Sequence, residues 1–380
     1  MRTIRSVAVV VIVLAVQGAP DRVAARSLAD RLDEVLEFEG ELEQSPEFRD
    51  QLLAVVMGIQ RSAARSADFI ATATAPGFTY HFNPETGAFE RGRSSRGPVY
   101  VEPPQTVGKG GIDLGMSYLY ADFTELDGES LEDALDELED VRGTDVLDIE
   151  TDNFDIRSHV FSFSGTYGLT DRWDVNLLLP LFVTTLELSG ESALLVPGAP
   201  PFRNPFDEDD TKVGPGDLLL RTKYRLADRA GVELASAFTL RLPTGDEDNF
   251  QGLGDVILTP LVAAMRTFGP HDVHANFGIE VDASDVDRSR ARYAIGVSLQ
   301  LLEPLAFLVD VVGSSGFTDD DFEEGSVQGS VPRSDIVDLF AGTKVRVSEH
   351  LVAHLGAFVP ITNDGLRADV VPAGGIEASF

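Results

Sequence analysis

From Gly110 onward, hydrophobic and polar residues alternate with a period of two. Ile112, Leu114, Met116, Tyr118 and Tyr120 hold one parity; Asp113, Gly115, Ser117, Leu119 and Ala121 hold the other. Successive side chains of a strand point to opposite faces, so such a run predicts a strand with one apolar and one small or polar face. Phe161, Phe163 and Tyr167 repeat the pattern, as do Trp173, Val175, Leu177, Leu179, Leu181 and Val183. Leu218, Leu220, Tyr224 and Leu226 alternate with Asp217, Arg221, Lys223 and Arg225. In all, the alternation predicts twelve strands: 112–123, 156–168, 173–188, 217–226, 232–243, 255–267, 273–282, 291–301, 305–313, 336–347, 351–361 and 370–380. The sixth alternates least clearly. A tilted membrane-crossing strand needs about 9–11 residues, whereas globular strands average about 5–6. These runs match the longer class.

Connection lengths add a second signal. Short links follow the even-numbered strands: Leu169–Arg172, Ala227–Gly231, Phe268–Asp272, Leu302–Pro304 and Ser348–His350. Long ones follow odd-numbered strands, notably 124–155, 189–216 and 314–335. Outer-membrane barrels pair short periplasmic turns with longer external loops and an even strand count. The expected fold is therefore all-β: a closed antiparallel transmembrane barrel of twelve strands, within a range of ten to fourteen. The range reflects Phe78–Phe82 and Ala88–Arg91, which flank the turn Asn83-Pro84-Glu85-Thr86-Gly87 and form a candidate extra hairpin.

Upstream of the barrel the signals change. Arg2 and Arg5 precede the apolar run Val7–Val16 and then small residues, the layout of a secretory signal over 1–25, cleaved after Ala25 or after Gly18. Residues 26–109 form a separate segment. Leu28, Leu32, Val35 and Leu36 repeat at helical spacing; Ser45 and Pro46 would start a second helix with Phe48, Leu52, Val55 and Ile59 on its apolar face. Either this is a periplasmic helical pair or it is a plug that enters the barrel of residues 110–380.

Composition narrows the function. The chain has 380 residues, no cysteine and a net charge of −33. So acidic a surface repels nucleic acid. Without cysteine there are no disulfides, thiolate metal sites or cysteine nucleophiles. No apolar run reaches the roughly 20 residues a bilayer-spanning helix needs. Export, absence of cysteine and a barrel together imply the outer membrane of a Gram-negative bacterium. The chain ends Ile376-Glu377-Ala378-Ser379-Phe380, alternating up to a terminal Phe380. That ending is similar to the C-terminal signal read by the barrel-assembly machinery, so this machinery, periplasmic chaperones, outer-membrane lipid and lipopolysaccharide are the expected partners.

The sequence resembles a family of outer-membrane transporters named for the meta-pathway of phenol degradation. The resemblance rests on Tyr167-Gly168-Leu169-Thr170-Asp171-Arg172-Trp173-Asp174-Val175, Gly214-Pro215-Gly216-Asp217, Leu242-Pro243-Thr244-Gly245 and Gly252-Leu253-Gly254-Asp255. It covers roughly residues 110–380. It implies a barrel that passes aromatic or other small organic compounds, and it carries over no substrate-binding residue.

Candidate chemistry lies on the inward parity. Arg221, Lys223 and Arg225 form a basic ladder, with Glu233 expected directly across from Arg225. Arg241, His274, Glu280, Asp310, Asp338, Lys344, Arg346 and His354 also fall inward. Such groups either form a selective constriction or are paired charges lining a wet interior. The first long loop holds fourteen carboxylates and one arginine between Glu125 and Asp155, and Asp319-Asp320-Asp321 with Glu323 and Glu324 adds a second cluster. Neither has the spacing of an EF-hand, so a solvated acidic surface is expected, with Leu131, Leu135 and Leu138 marking a short surface helix. No cofactor motif and no metal site are found. An enzyme is not expected: no Gly-x-Ser-x-Gly or HExxH occurs, and the adjacent Ser158 and His159 must point to opposite faces of a strand. The expected function is a channel or transporter for small solutes, with aromatic or hydrophobic compounds as one candidate class; the alternative is a non-transporting structural or adhesion barrel with acidic cation-binding loops.

Overall fold

The computed structural model describes residues 26–31, 58–59, 80–83, 88–91, 98–136, 139–142, 145–198, 200–324 and 327–380. The signal stretch and most of the two expected N-terminal helices lie outside these residues. Leu28 and Ile59 are within them; both are helical and fully buried.

Twelve strands build the wall: β1 (Ile112–Phe123), β2 (Asp145–Thr170), β3 (Trp173–Leu195), β4 (Leu218–Arg229), β5 (Val232–Leu242), β6 (Ile257–Phe268), β7 (His271–Asp282), β8 (Arg290–Leu302), β9 (Leu305–Gly316), β10 (Asp335–Arg346), β11 (Leu351–Pro360) and β12 (Val371–Ser379). Each pairs antiparallel with its neighbours in the chain, and β12 pairs with β1 to close the ring. Ile112 and Phe380 seal the seam, each donating its N–H to the other's carbonyl at 3.1 and 2.8 Å. Closure leaves no open sheet edge at the depth of the wall, the condition for backbone to sit in lipid. No helix among the described residues is long and apolar enough to cross a membrane.

Alternation decides which side chains face out. Leu114, Met116, Phe163, Leu177, Tyr224, Phe277, Ile295 and Leu355 are exposed on the outer face. Asp113, Ser162, Thr166, Lys223, His274, Ser298, Asp310 and Lys344 are buried on the inner one. A water-soluble barrel would reverse this distribution. The weak sixth strand follows the same rule, with Thr259, Ala263 and Met265 turned inward. Its ladder to β7 lapses at Thr259 and Pro260, where proline has no N–H to contribute.

Three boundaries differ from the sequence expectation. β2 and β3 extend to Asp145 and Leu195, well beyond 156 and 188, because their hairpin continues past the wall. The expected loop 189–216 is largely a strand, Phe202–Pro215, paired along β3 from Leu194 to Leu181. These strands form an arm on the long-loop side. The 124–155 connection does contain a helix, Leu131–Asp136, but Leu131 and Leu135 are buried in the core rather than spread on the surface; Leu138 lies outside the described residues. The hairpin Tyr80–Asn83 with Ala88–Arg91 forms, as its own two-stranded sheet and not as part of the wall.

Candidate functional site

Residues 98–107 lie inside the barrel and organise its charges. Glu102, from this segment, reaches two rungs of the β4 ladder: Arg221 Nη1 donates to its Oε2 at 2.6 Å and Lys223 Nζ to its Oε1 at 2.8 Å. Lys223 also donates to the Pro103 carbonyl at 3.0 Å. On β7, Asn276 clasps the Glu102 backbone, its Oδ1 accepting from the N–H at 2.7 Å and its Nδ2 donating to the carbonyl at 2.8 Å. Nearby, Lys344 Nζ points at the Pro98 carbonyl, 3.4 Å away. Tyr100 sits edge-on to Phe340 and Phe358, with ring centroids 4.6 Å apart in both cases, and 6.0 Å from the His354 ring. Val99, Tyr100 and Val101 are buried with Leu308, Val312 and Phe340.

Two lumenal cavities flank this segment. One of about 60 Å³ is lined by Tyr100, Glu102, Arg221, Arg241, Glu280 and Tyr293. The other, about 30 Å³, borders Glu102, Asp113, Lys223 and Glu377. Each has room for a few waters; a cavity that takes benzene measures about 150 Å³.

The segment leaves at the short-turn end through the Tyr167–Val175 motif. Gly168 exchanges backbone hydrogen bonds with Gly110 (2.8 Å) and Gly111 (3.0 Å). A Cβ at Gly168 would collide with the Gly108 carbonyl, so the motif needs glycine there. Asp171 accepts from the Lys109 N–H at 3.1 Å and, through its carbonyl, from the Thr106 hydroxyl at 2.8 Å. Asp174 accepts from the Val107 N–H at 2.9 Å. This motif therefore does more than turn the chain: it holds the root of the lumenal segment.

The other three motifs meet at the long-loop rim. Asp217 accepts from the N–H groups of Gly245 (3.0 Å) and Leu253 (2.9 Å) and faces Arg241 at 3.7 Å. Thr244 donates its hydroxyl to the Gly216 carbonyl at 2.9 Å. An open depression of about 560 Å³ lies beside them, lined by Lys212, Gly214, residues 244–249 and Gln251.

The remaining candidates are distributed as ion pairs. Arg225 does not face Glu233 directly: a bulge between Arg225 and Ala227 sets Arg225 opposite Ala235 and Asp228 opposite Glu233. Arg225 still reaches Glu233 diagonally at 3.5 Å. His274 Nε2 and Asp310 Oδ1 are 2.8 Å apart and both side chains are wholly buried. Glu280 accepts from Arg292 at 2.6 Å. Asp338 pairs with Arg367, from the connection before β12. Arg346, at the short-turn rim, approaches Glu303 at 3.7 Å. Ser158 is buried on the inner face, while His159 on the outer face meets the Tyr118 hydroxyl at 2.9 Å. Phe380 is exposed, its ring parallel to that of His350. No group of three or more metal-ligating side chains occurs among the described residues. Sequence reasoning missed Glu102, Tyr100, Asn276 and Arg367. Glu102 is the sole carboxylate between Glu90 and Asp113, but nothing local shows that it belongs opposite β4.

No protein-family model matches the chain, and no curated protein does. Among solved structures, an outer membrane channel from Pseudomonas putida F1 matches with TM-score 0.50 at 12% identity, covering 73% of this chain and 97% of that one. A Pseudomonas aeruginosa FadL homologue (TM-score 0.34, 9% identity, 73% and 91% covered) and the Ralstonia pickettii toluene transporter TbuX (0.36, 11%, 72% and 89%) match more loosely. At these identities the likeness speaks to the fold: a closed, twelve-stranded antiparallel barrel.

Proposed function

We propose that this chain is an outer-membrane channel for small organic solutes, closed in the described conformation by residues 98–107. The observation that carries this is the chemistry of the filler. The segment is no part of the wall; polar anchors at Glu102, Val107 and Lys109 hold it in the lumen beside the apolar contacts of Val99, Tyr100 and Val101. Side chains that merely filled a structural barrel would need no such removable strap. The aromatic class implied by the family resemblance gains support from Tyr100, whose ring packs edge-on against both Phe340 and Phe358 in a three-ring cluster. The solute, the barrel-assembly machinery, chaperones and lipopolysaccharide as partners, and Phe380 as assembly signal belong to this proposal.

The test is single-channel recording of refolded, heat-modifiable protein in planar bilayers, full-length and lacking residues 26–109. Rare openings in the full-length chain and sustained steps after truncation are expected. Silence in both would overturn the channel and favour a structural or adhesion barrel. That second reading draws on the small cavities beside Glu102.

A further inference from the structure

Residues 26–31 and the start of β1 are anchored at opposite ends of the barrel, and from this we infer that residues 26–31 are presented on the outer surface of the cell. This rests on the outer-membrane reading above.

Two anchors place the ends. Residues 106–111 are fixed at the short-turn end, on Asp171 and Gly168, and β1 starts there. Residues 26–31 are fixed at the other end. Arg31 pairs with Glu208 at 2.7 Å and Asp210 at 3.4 Å, and the Leu28 N–H donates to Asn249 Oδ1 at 3.1 Å. Glu208 and Asp210 belong to the Phe202–Pro215 strand of the arm, opposite Leu188 and Leu186 of β3. The neighbouring strand β4 begins only at Leu218, opposite Leu242 of β5. Asp210 is five residues beyond Pro215, about 16 Å further along the strand at roughly 3.3 Å per residue. Asn249 lies in the connection between β5 and β6, on the same side. Of the chain between these two anchors, residues 98–107 lie in the lumen, held by Arg221, Lys223 and Lys344.

The docking is built rather than incidental. The arm's Glu208 and Asp210 are both carboxylates facing Arg31, and Lys212 pairs with Asp210 at 2.9 Å to complete the cluster. Leu28 is wholly buried in the core that contains Leu186, Leu188 and Phe250. Ser27 and Asp30 cap each other, the Asp30 N–H donating to Ser27 Oγ at 2.9 Å and the Ser27 N–H to Asp30 Oδ2 at 2.8 Å. Asp30 itself is exposed.

The chain has no cysteine, so single-cysteine labelling is clean. Asp30→Cys and, as a second variant, Ser27→Cys are expressed in a Gram-negative host. They are treated with a maleimide on a polymer too large for porins, and the heat-modifiable fraction is scored. Val196→Cys at the tip of the β3 arm marks the outside, and Pro270→Cys in the β6–β7 turn marks the periplasm. The expected result is labelling of Asp30→Cys or Ser27→Cys in intact cells to the extent of Val196→Cys, with Pro270→Cys labelled only after the outer membrane is permeabilised. Labelling of Val196→Cys but of neither N-terminal variant in intact cells overturns the inference and leaves the barrel reading standing. Failure of Val196→Cys to label in intact cells overturns both.

Discussion

Glu102→Ala tests the strapped lumen most directly. Its carboxylate is the shared counter-ion of Arg221 and Lys223, and all three side chains are largely buried. Truncation leaves two cations facing each other in a cavity with room for only a few waters. Breaking a buried pair by removing one partner costs about 3–5 kcal/mol. That cost falls on the closed state alone, because displacement of the segment lets water reach both cations. Taking about 3 kcal/mol, the displaced population rises on the order of a hundredfold, at one factor of ten per 1.4 kcal/mol. The Asn276, Asp174 and Asp171 contacts remain, so the segment is loosened rather than lost. Single-channel recording reads this as a rise of that order in open probability, with unit conductance preserved. An open probability equal to that of the unmodified chain, in protein shown to be folded by heat-modifiability, would refute the reasoning.

Three further outcomes are expected. Arg221→Ala with Lys223→Ala leaves Glu102 uncompensated, so the reversal potential in a salt gradient should move toward cation preference; no movement would mean that the ladder does not border the ion path. A Cβ at Gly296 would collide with Asp310 and approach His274 Nε2 to 2.6 Å, so Gly296→Ala should break that buried pair and cost about 1–3 kcal/mol, seen as a lower urea midpoint; an unchanged midpoint would show that the pair can shift freely. Phe380→Ala keeps the backbone seam with Ile112 but removes the terminal ring, and it should lower the yield of membrane-inserted, heat-modifiable protein; an undiminished yield would remove Phe380 from assembly.

The wall was legible in the sequence because its rule is local. A period of two along Ile112–Phe123 or His271–Asp282 states which side chains meet lipid, and short turns such as Gly269-Pro270 state where the chain reverses. Lys223, His274, Asp310, Lys344 and His354, which share the inward parity, are buried. What parity could not supply is partnership. It set Glu233 across from Arg225, and a one-residue bulge moved Ala235 there, because register depends on hydrogen-bond geometry that composition does not record. The arm was hidden for a related reason: Phe202–Pro215 carries polar or charged residues at both parities from Asp207 to Lys212, so it shows no apolar alternation to read. Glu102 meets Arg221 and Lys223 across 119 and 121 residues of chain, a meeting that only the tertiary fold creates. The sequence by itself thus determined a barrel with a charged interior. Only the tertiary structure decided that this interior is occupied, and by which carboxylate. Contacts between residues more than a hundred positions apart are made by the folded ring, and no local pattern encodes them.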